Sequence, residues 1–123
     1  MRYSSFLITF FLILNSCGFG KKGIDVSIKN DTNLTIYNVS ISAGINSEVS
    51  FDSISPNETL IKFLDMDNID RVDGSYLLNY TFPDGENFEN SFGYYTNGWP
   101  NNYLICCSIN DSVISTMFDE LCD

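Results

Sequence analysis

The fold class this 123-residue sequence predicts is all-β: an antiparallel β-sandwich of about seven or eight strands. Three observations carry that expectation. From residue 24 onward, apolar residues recur with a period of two, the mark of strands buried on one face. Turn residues interrupt the alternation at short intervals, as between the strands of a sandwich or barrel. No stretch has the i, i+3, i+4 spacing of a convincing amphipathic helix.

The elements follow in order. Ile24, Val26 and Ile28 alternate with Asp25, Ser27 and Lys29, and Asn30-Asp31-Thr32-Asn33 makes a turn. Leu34 to Ala43 is a longer strand whose parity shifts, with Ile36 on one face and Tyr37, Val39 and Ile41 on the other. One extra residue has that effect, so a bulge or kink is expected near Tyr37. Gly44 to Ser47 turns into a strand over Glu48–Asp52, where Val49 and Phe51 face inward. Ser53 to Asn57, containing Pro56, breaks the chain. Thr59 to Leu64 is apolar apart from Lys62 and reads as a strand buried on both sides or near an edge.

Asp65 to Gly74 is an acidic connection. Tyr76, Leu78, Tyr80 and Phe82 then alternate, and Pro83-Asp84-Gly85 is a hairpin turn in which Pro sets φ and Gly supplies a positive φ. Phe88, Phe92 and Tyr94 return with inward parity, which leaves Tyr95 facing outward. Thr96 to Asn102 is a turn, Tyr103–Ile109 a strand, Asn110-Asp111 a turn, and Val113–Phe118 the last strand.

Ahead of the strands, Arg2 precedes the apolar run Phe6 to Leu14, which ends in Asn15-Ser16-Cys17. Charged n-region, short apolar h-region and small residues are the order of a secretory signal. The run is too short to span a bilayer, which takes about 20 apolar residues. The alternatives are an ordinary signal cleaved near Ser16 or Gly18, an uncleaved anchor, which the length opposes, and a buried element of the fold, for which the first 14 residues offer no turn or polar alternation. The Leu14-Asn15-Ser16-Cys17 ending resembles the lipobox of bacterial lipoproteins. That resemblance implies that Cys17 is diacylated and becomes the mature N-terminus. The chain then divides into a signal peptide (1–16), a lipidated tether (17–23) and one domain (24–123).

Arg2 is the one charged residue of the signal, so the mature chain keeps five basic and all sixteen acidic side chains, a net charge of −11. Two of the five, Lys21 and Lys22, lie in the tether. Such a surface repels nucleic acid and anionic headgroups. Its plainest role is to keep an extracytoplasmic domain soluble. Histidine is absent, which removes the commonest general base and metal ligand and any Ser-His or Cys-His catalytic pair. The sequence points to a non-enzymatic protein without a cofactor.

With Cys17 assigned to lipid, Cys106, Cys107 and Cys122 remain. Adjacent residues of a strand face opposite ways. Cys107 shares the parity of Tyr103, Ile105 and Ile109 and is expected in the core. Cys106 shares the other face with Leu104 and Ser108, and a Cys106–Cys122 disulfide clamping the C-terminal tail is the expected pairing in an oxidising compartment. All three thiols reduced is the alternative.

Two clusters could carry chemistry. Asp65, Asp67, Asp70 and Asp73 lie within ten residues, and hard cations take several carboxylate oxygens. The EF-hand register fails, because Asp70 stands where Gly is needed and Tyr76 where Glu is needed. A non-EF calcium loop is the weaker reading and a solvated acidic connection the stronger. The second cluster is Phe92 to Pro100, where Tyr95 and Trp99 are the candidate ligand-contact residues, since flat rings give large contact area at low entropy cost. Trp99 folded back to plug the end of the domain is the alternative.

Beyond Cys17 the chain resembles the small Asn/Ile/Ser/Phe-rich β-sandwich lipoproteins of AT-rich Gram-negative bacteria. The architecture implied is Ig-like or transthyretin-like, without the Ig-specific Cys…Trp…Cys arrangement. The resemblance also implies an envelope location, held to the membrane through the N-terminal lipid. Gly18 after Cys17, rather than Asp, favours the outer membrane. A binding, accessory or structural role with a protein or glycan partner is expected. An immunity-type inhibitor that binds a basic protein through the acidic face is the alternative.

Overall fold

The computed structural model describes residues 21–111 and 114–120. Cys17, Cys122 and the signal peptide lie outside the described residues. Nine strands are present among the described residues: β1 (Gly23–Asn30), β2 (Ile36–Ser42), β3 (Glu48–Ile54), β4 (Thr59–Asp65), β5 (Gly74–Thr81), β6 (Asn87–Thr96), β7 (Trp99–Pro100), β8 (Leu104–Ile109) and β9 (Ile114–Phe118). They form two sheets, a four-stranded one in the order β4-β1-β8-β9 and a five-stranded one in the order β3-β2-β5-β6-β7. The fold is all-β, with no helix among the described residues long and apolar enough to cross a membrane.

Two expectations need correction. The strands number nine, because the short β7 pairs with the end of β6 through Tyr95↔Pro100 and Thr96↔Trp99. The pairing is also not antiparallel throughout: β1 runs parallel to β8, with Val26 opposite Ile105 and Ile28 opposite Cys107. Parallel neighbours lie in sheet interiors. Accordingly β1 and β8 are the two central strands of their sheet, and even outward-facing Ser27 and Cys106 are buried.

One apolar cluster joins the sheets. Ile24, Val26, Ile28, Leu64, Ile105, Cys107 and Ile109 come from the first sheet, and Ile36, Val39, Ile41, Phe51, Tyr76, Leu78 and Tyr80 from the second. The expected break near Tyr37 is present. Asn38 has φ 50°, and the β2–β5 register shifts between Tyr37 and Ser40. The extra residue lets Ile36 and Val39 both face the core while Tyr37 turns outward. β4 lies at an edge, as one of its two readings had it. Its Lys62, opposite Val26, donates to the Ser50 carbonyl at 2.5 Å and lies 4.9 Å from the Phe51 ring. An inward-placed lysine bridging to β3 closes that edge against further strands.

The strands run between two poles. β1 begins at one and ends at the other, where Asn30 is fully buried. The Asn30 Nδ2 donates to the carbonyls of Leu34 at 2.8 Å and Ile54 at 2.9 Å. Its Oδ1 accepts from the Thr32 N–H at 3.0 Å and the Thr32 hydroxyl at 2.7 Å. The Asn30 backbone accepts from Asn57 N–H and donates to the Glu58 carbonyl. One side chain thus joins the end of β1 to the end of β3 in the other sheet, with every polar atom satisfied.

Asn30→Ala should therefore cost about 3 kcal/mol or more, because it strands buried donors and acceptors as well as removing bonds. Urea unfolding checks this as a fall in midpoint at unchanged slope.

Candidate functional site

The pole where β1 begins gathers the two segments that the sequence singled out and a third turn beside them. Three connections meet there: the β2–β3 turn (residues 43–47), the β4–β5 loop (66–73) and the β6–β7 turn (97–98). Hydrogen bonds hold them together. Ala43 N–H donates to the Ser47 carbonyl, Gly98 N–H to the Val72 carbonyl, and Met66 N–H to the Lys22 carbonyl, each at 2.9 Å. Ser47 Oγ donates to the Asp65 carbonyl at 2.5 Å.

The four aspartates do not converge. Among the described residues no group of three or more His, Cys, Asp or Glu side chains is placed to hold a metal ion. Asp65 Oδ1 accepts from the Asp67 N–H at 2.9 Å, a local turn contact. Asp73 reaches across to the β6–β7 turn, accepting from the Asn97 N–H at 2.8 Å and the Tyr94 hydroxyl at 2.8 Å. These two bonds, the Asn97 N–H foremost, hold the Asp73 carboxyl below its ordinary 3.8. The bond to Asp73 in turn pushes the Tyr94 phenol above its usual range. The aspartates with bonds of this kind thus fasten loops.

The aromatic segment divides otherwise than alternation suggests. Tyr95, expected to face outward, is only 5% exposed, whereas Tyr94 is 52% exposed. The cause is Gly93, at φ 67°, with the β5–β6 register shifting between Gly74 and Tyr76. A glycine bulge of this kind inserts one residue and reverses the faces beyond it. Tyr95 then packs 5.5 Å from the Tyr76 ring, filling the space beside Gly74, where an added Cβ would lie 2.4 Å from the Tyr95 hydroxyl. Burial and the neighbouring Tyr95 push the Tyr76 phenol to about 12.

Trp99, the other candidate, stands outside at 56% exposure, with Lys22 Nζ 4.9 Å from its ring centroid. Beside it, Gly44, Ile45, Asn46, Ile69, Asp70, Val72 and Tyr95 line a cavity of about 140 Å³. Ile45 and Val72 on its rim are 98% and 58% exposed. Neither residue stood out in the sequence, because a single Ile in a Gly-Ile-Asn turn or a Val in an acidic loop breaks no pattern.

Cys107 is a free, buried thiol, as its parity predicts, and burial pushes its pKa to about 12. Cys106 lies on the opposite face of β8, its Sγ 3.3 Å from the Glu120 carbonyl oxygen. Asp119, between β9 and Glu120, binds the β7–β8 connection. Its carboxylate accepts from Asn102 Nδ2 at 2.7 Å and from the Tyr103 and Leu104 N–H groups at 2.7 and 3.2 Å. Lost hydration raises its pKa, and these three bonds together outweigh that and leave it below 3.8.

No family model and no curated protein matches the chain. It is similar to a solved structure described as the NMR structure of the protein from Eubacterium rectale, with a TM-score of 0.52 at 12% identity over 82% of this chain and 92% of that one. At that identity the likeness concerns the fold alone.

Carboxyls held below their unfolded values contribute stability that is present above 3.8 and lost as pH falls through the lower folded values. The Asp73→Asn/Asp119→Asn double variant should thus lose less melting temperature than the parent between about pH 6 and pH 3. Gly93→Ala must hold a positive φ and meet the Phe118 ring 2.5 Å from the new Cβ, so it should cost about 1–3 kcal/mol, read by urea unfolding.

Proposed function

We propose that the chain is a lipid-anchored cell-envelope protein, non-enzymatic, with a binding, accessory or structural role. The observation that carries this reading is the Leu14-Asn15-Ser16-Cys17 lipobox behind a short apolar signal. Residues 1–16 are the signal peptide, Cys17 is the lipidated residue, and residues 17–23 tether a domain whose two sheets pack as a β-sandwich of Ig-like or transthyretin-like architecture. The location is the outer membrane, on its periplasmic or surface side. Each buried CH₂ of an acyl chain contributes about 0.8 kcal/mol, so two or more chains hold the protein durably.

The non-enzymatic reading draws on the absence of histidine and on what the shifted carboxylates touch. Asp73 and Asp119 bind loop N–H groups. Asp31 accepts the Ser108 hydroxyl and pairs with Lys29 at 3.3 Å. Each of the three has a structural partner. The partner is a protein or a glycan, not a nucleic acid.

A second reading, an inhibitor of the immunity type that binds a basic protein, is favoured by how the few positive charges are used. Lys29 is paired with Asp31 and Lys62 is bound to Ser50, which leaves most of the acidic side chains unmatched. A gene for a basic toxin beside this one supports the inhibitor; polysaccharide-uptake or secretion genes support the envelope role.

A disulfide between Cys106 and Cys122 belongs to the same proposal. Cys107 is buried on the core side, whereas Cys106 lies against Glu120, two residues before Cys122. Mass spectrometry tests both covalent claims. The native protein should carry a diacylated Cys17 that the Cys17→Ala variant lacks, and unreduced digests should contain a peptide pair joining Cys106 to Cys122. An unmodified N-terminus at Gly18 contradicts the anchor, and two free thiols contradict the bridge.

A further inference from the structure

We infer that the pole where β1 begins is a bilayer-contact surface, with Ile45, Val72 and Trp99 seated in the membrane interface. The inference rests on the lipid-anchor reading and adds to it which face of the domain meets the membrane.

The first argument is reach. Lys22 is not part of a free tether: its carbonyl accepts the Met66 N–H at 2.9 Å, and its ammonium lies over Trp99. The chain is therefore fixed to the domain from residue 22 onward. Four residues separate Cys17 from Lys22, and the five Cα-to-Cα steps between them extend to at most about 18 Å, with a relaxed span of about 12 Å. The interfacial layer on each side of the hydrocarbon core is itself about 5–7 Å deep. A cysteine whose acyl chains lie in the membrane thus holds this pole at the headgroups, while Asn30 and the turns beside it lie at the other end of β1.

The second argument is what that pole exposes. Ile45, Val72 and Trp99 rank among the most exposed large apolar side chains of the described residues. They are contiguous. Ile45 and Val72 line one cavity, Gly98 is bonded to Val72, and Trp99 follows Gly98. An exposed Trp beside aliphatic side chains suits the membrane interface, where one edge of the ring is wet and the other apolar.

The third argument is charge. Lys21, Lys22 and Arg71, three of the five basic residues after Cys17, stand at this end. Among the acids there, Asp65 is turned to the Asp67 N–H and Asp73 to the Asn97 N–H of the β6–β7 turn, while Asp67 and Asp70 are exposed. The pole is not a basic patch, so the contact is apolar and needs no anionic lipid.

Trp99 is the one tryptophan of the chain and reports on itself. The full-length protein, processed in a Gram-negative host, is reconstituted into phosphatidylcholine vesicles with and without nitroxide-labelled lipid. Its Trp99 emission should shift to the blue and fall about twofold with the labelled lipid, as for a ring at the interface. The Ile45→Asp/Val72→Asp variant should stay bound to vesicles yet lose most of the quenching. Both replaced side chains are exposed, so the fold is not at risk. Vesicle-bound protein with acylated Cys17 and Trp99 emission as in buffer overturns the contact surface and leaves the anchor standing. A Cys17 without lipid overturns both.

Discussion

The buried amide of Asn30 is the contact on which the two-sheet arrangement most depends. β1 and β3 belong to different sheets, and backbone pairing alone does not fix how one sheet sits on the other. The Asn30 side chain does so at one end, because its two donors meet carbonyls at Leu34 and Ile54 and its oxygen takes both Thr32 donors. A buried amide with all its bonds made favours one arrangement over others, since any slip leaves polar atoms without partners in a low-dielectric interior. Apolar contacts between Ile, Val and Leu tolerate such slips far more readily. Lys62 adds a second tie between the sheets along the β3–β4 edge, by a long side chain that keeps its charge near solvent.

The two poles are built on different principles. Around Asn30, backbone and amide bonds close the end with buried polar groups. At the opposite pole, carboxylates at the surface fasten the loops: Asp73 holds the β6–β7 turn and Asp119 the β7–β8 connection. At this pole Ile45, Val72 and Trp99 stand uncovered. A soluble domain gains nothing from that exposure, whereas a domain tied at this end to a membrane has a surface ready for it. The same pole pins Lys22, the point at which the proposed lipid tether joins the domain.

Much of this was legible in the sequence, and the misses have physical causes. The break at Tyr37 could be read because Ile36 and Val39 differ in parity within one strand. Cys107 could be placed in the core for the same reason, by its register with Ile105 and Ile109. Simple alternation puts Tyr95 on the outer face, whereas the glycine bulge at Gly93 exchanges the faces beyond it; Gly93 itself is the available signal. Asn30 reads as a turn residue, yet it continues the inward parity of Ile24, Val26 and Ile28, and that continuation marks a buried polar group. The parallel pairing of β1 with β8 left no local trace, since the partners are far apart in sequence and each strand's pattern suits either direction. At the candidate site, Trp99 and the aspartates could be found by type, but which carboxylates bind loops is set by contacts between distant segments.

Native-state amide hydrogen exchange tests the role of Asn30 most directly. If its side chain ties the sheets together, the Thr32 and Asn57 amides, bonded to the Asn30 side chain and carbonyl, should exchange only through global unfolding. Their opening free energy should then equal that of the Val26 amide in the centre of β1. Exchange of Thr32 and Asn57 by local opening, with Val26 still protected, would contradict the account and make this pole a peripheral loop cluster.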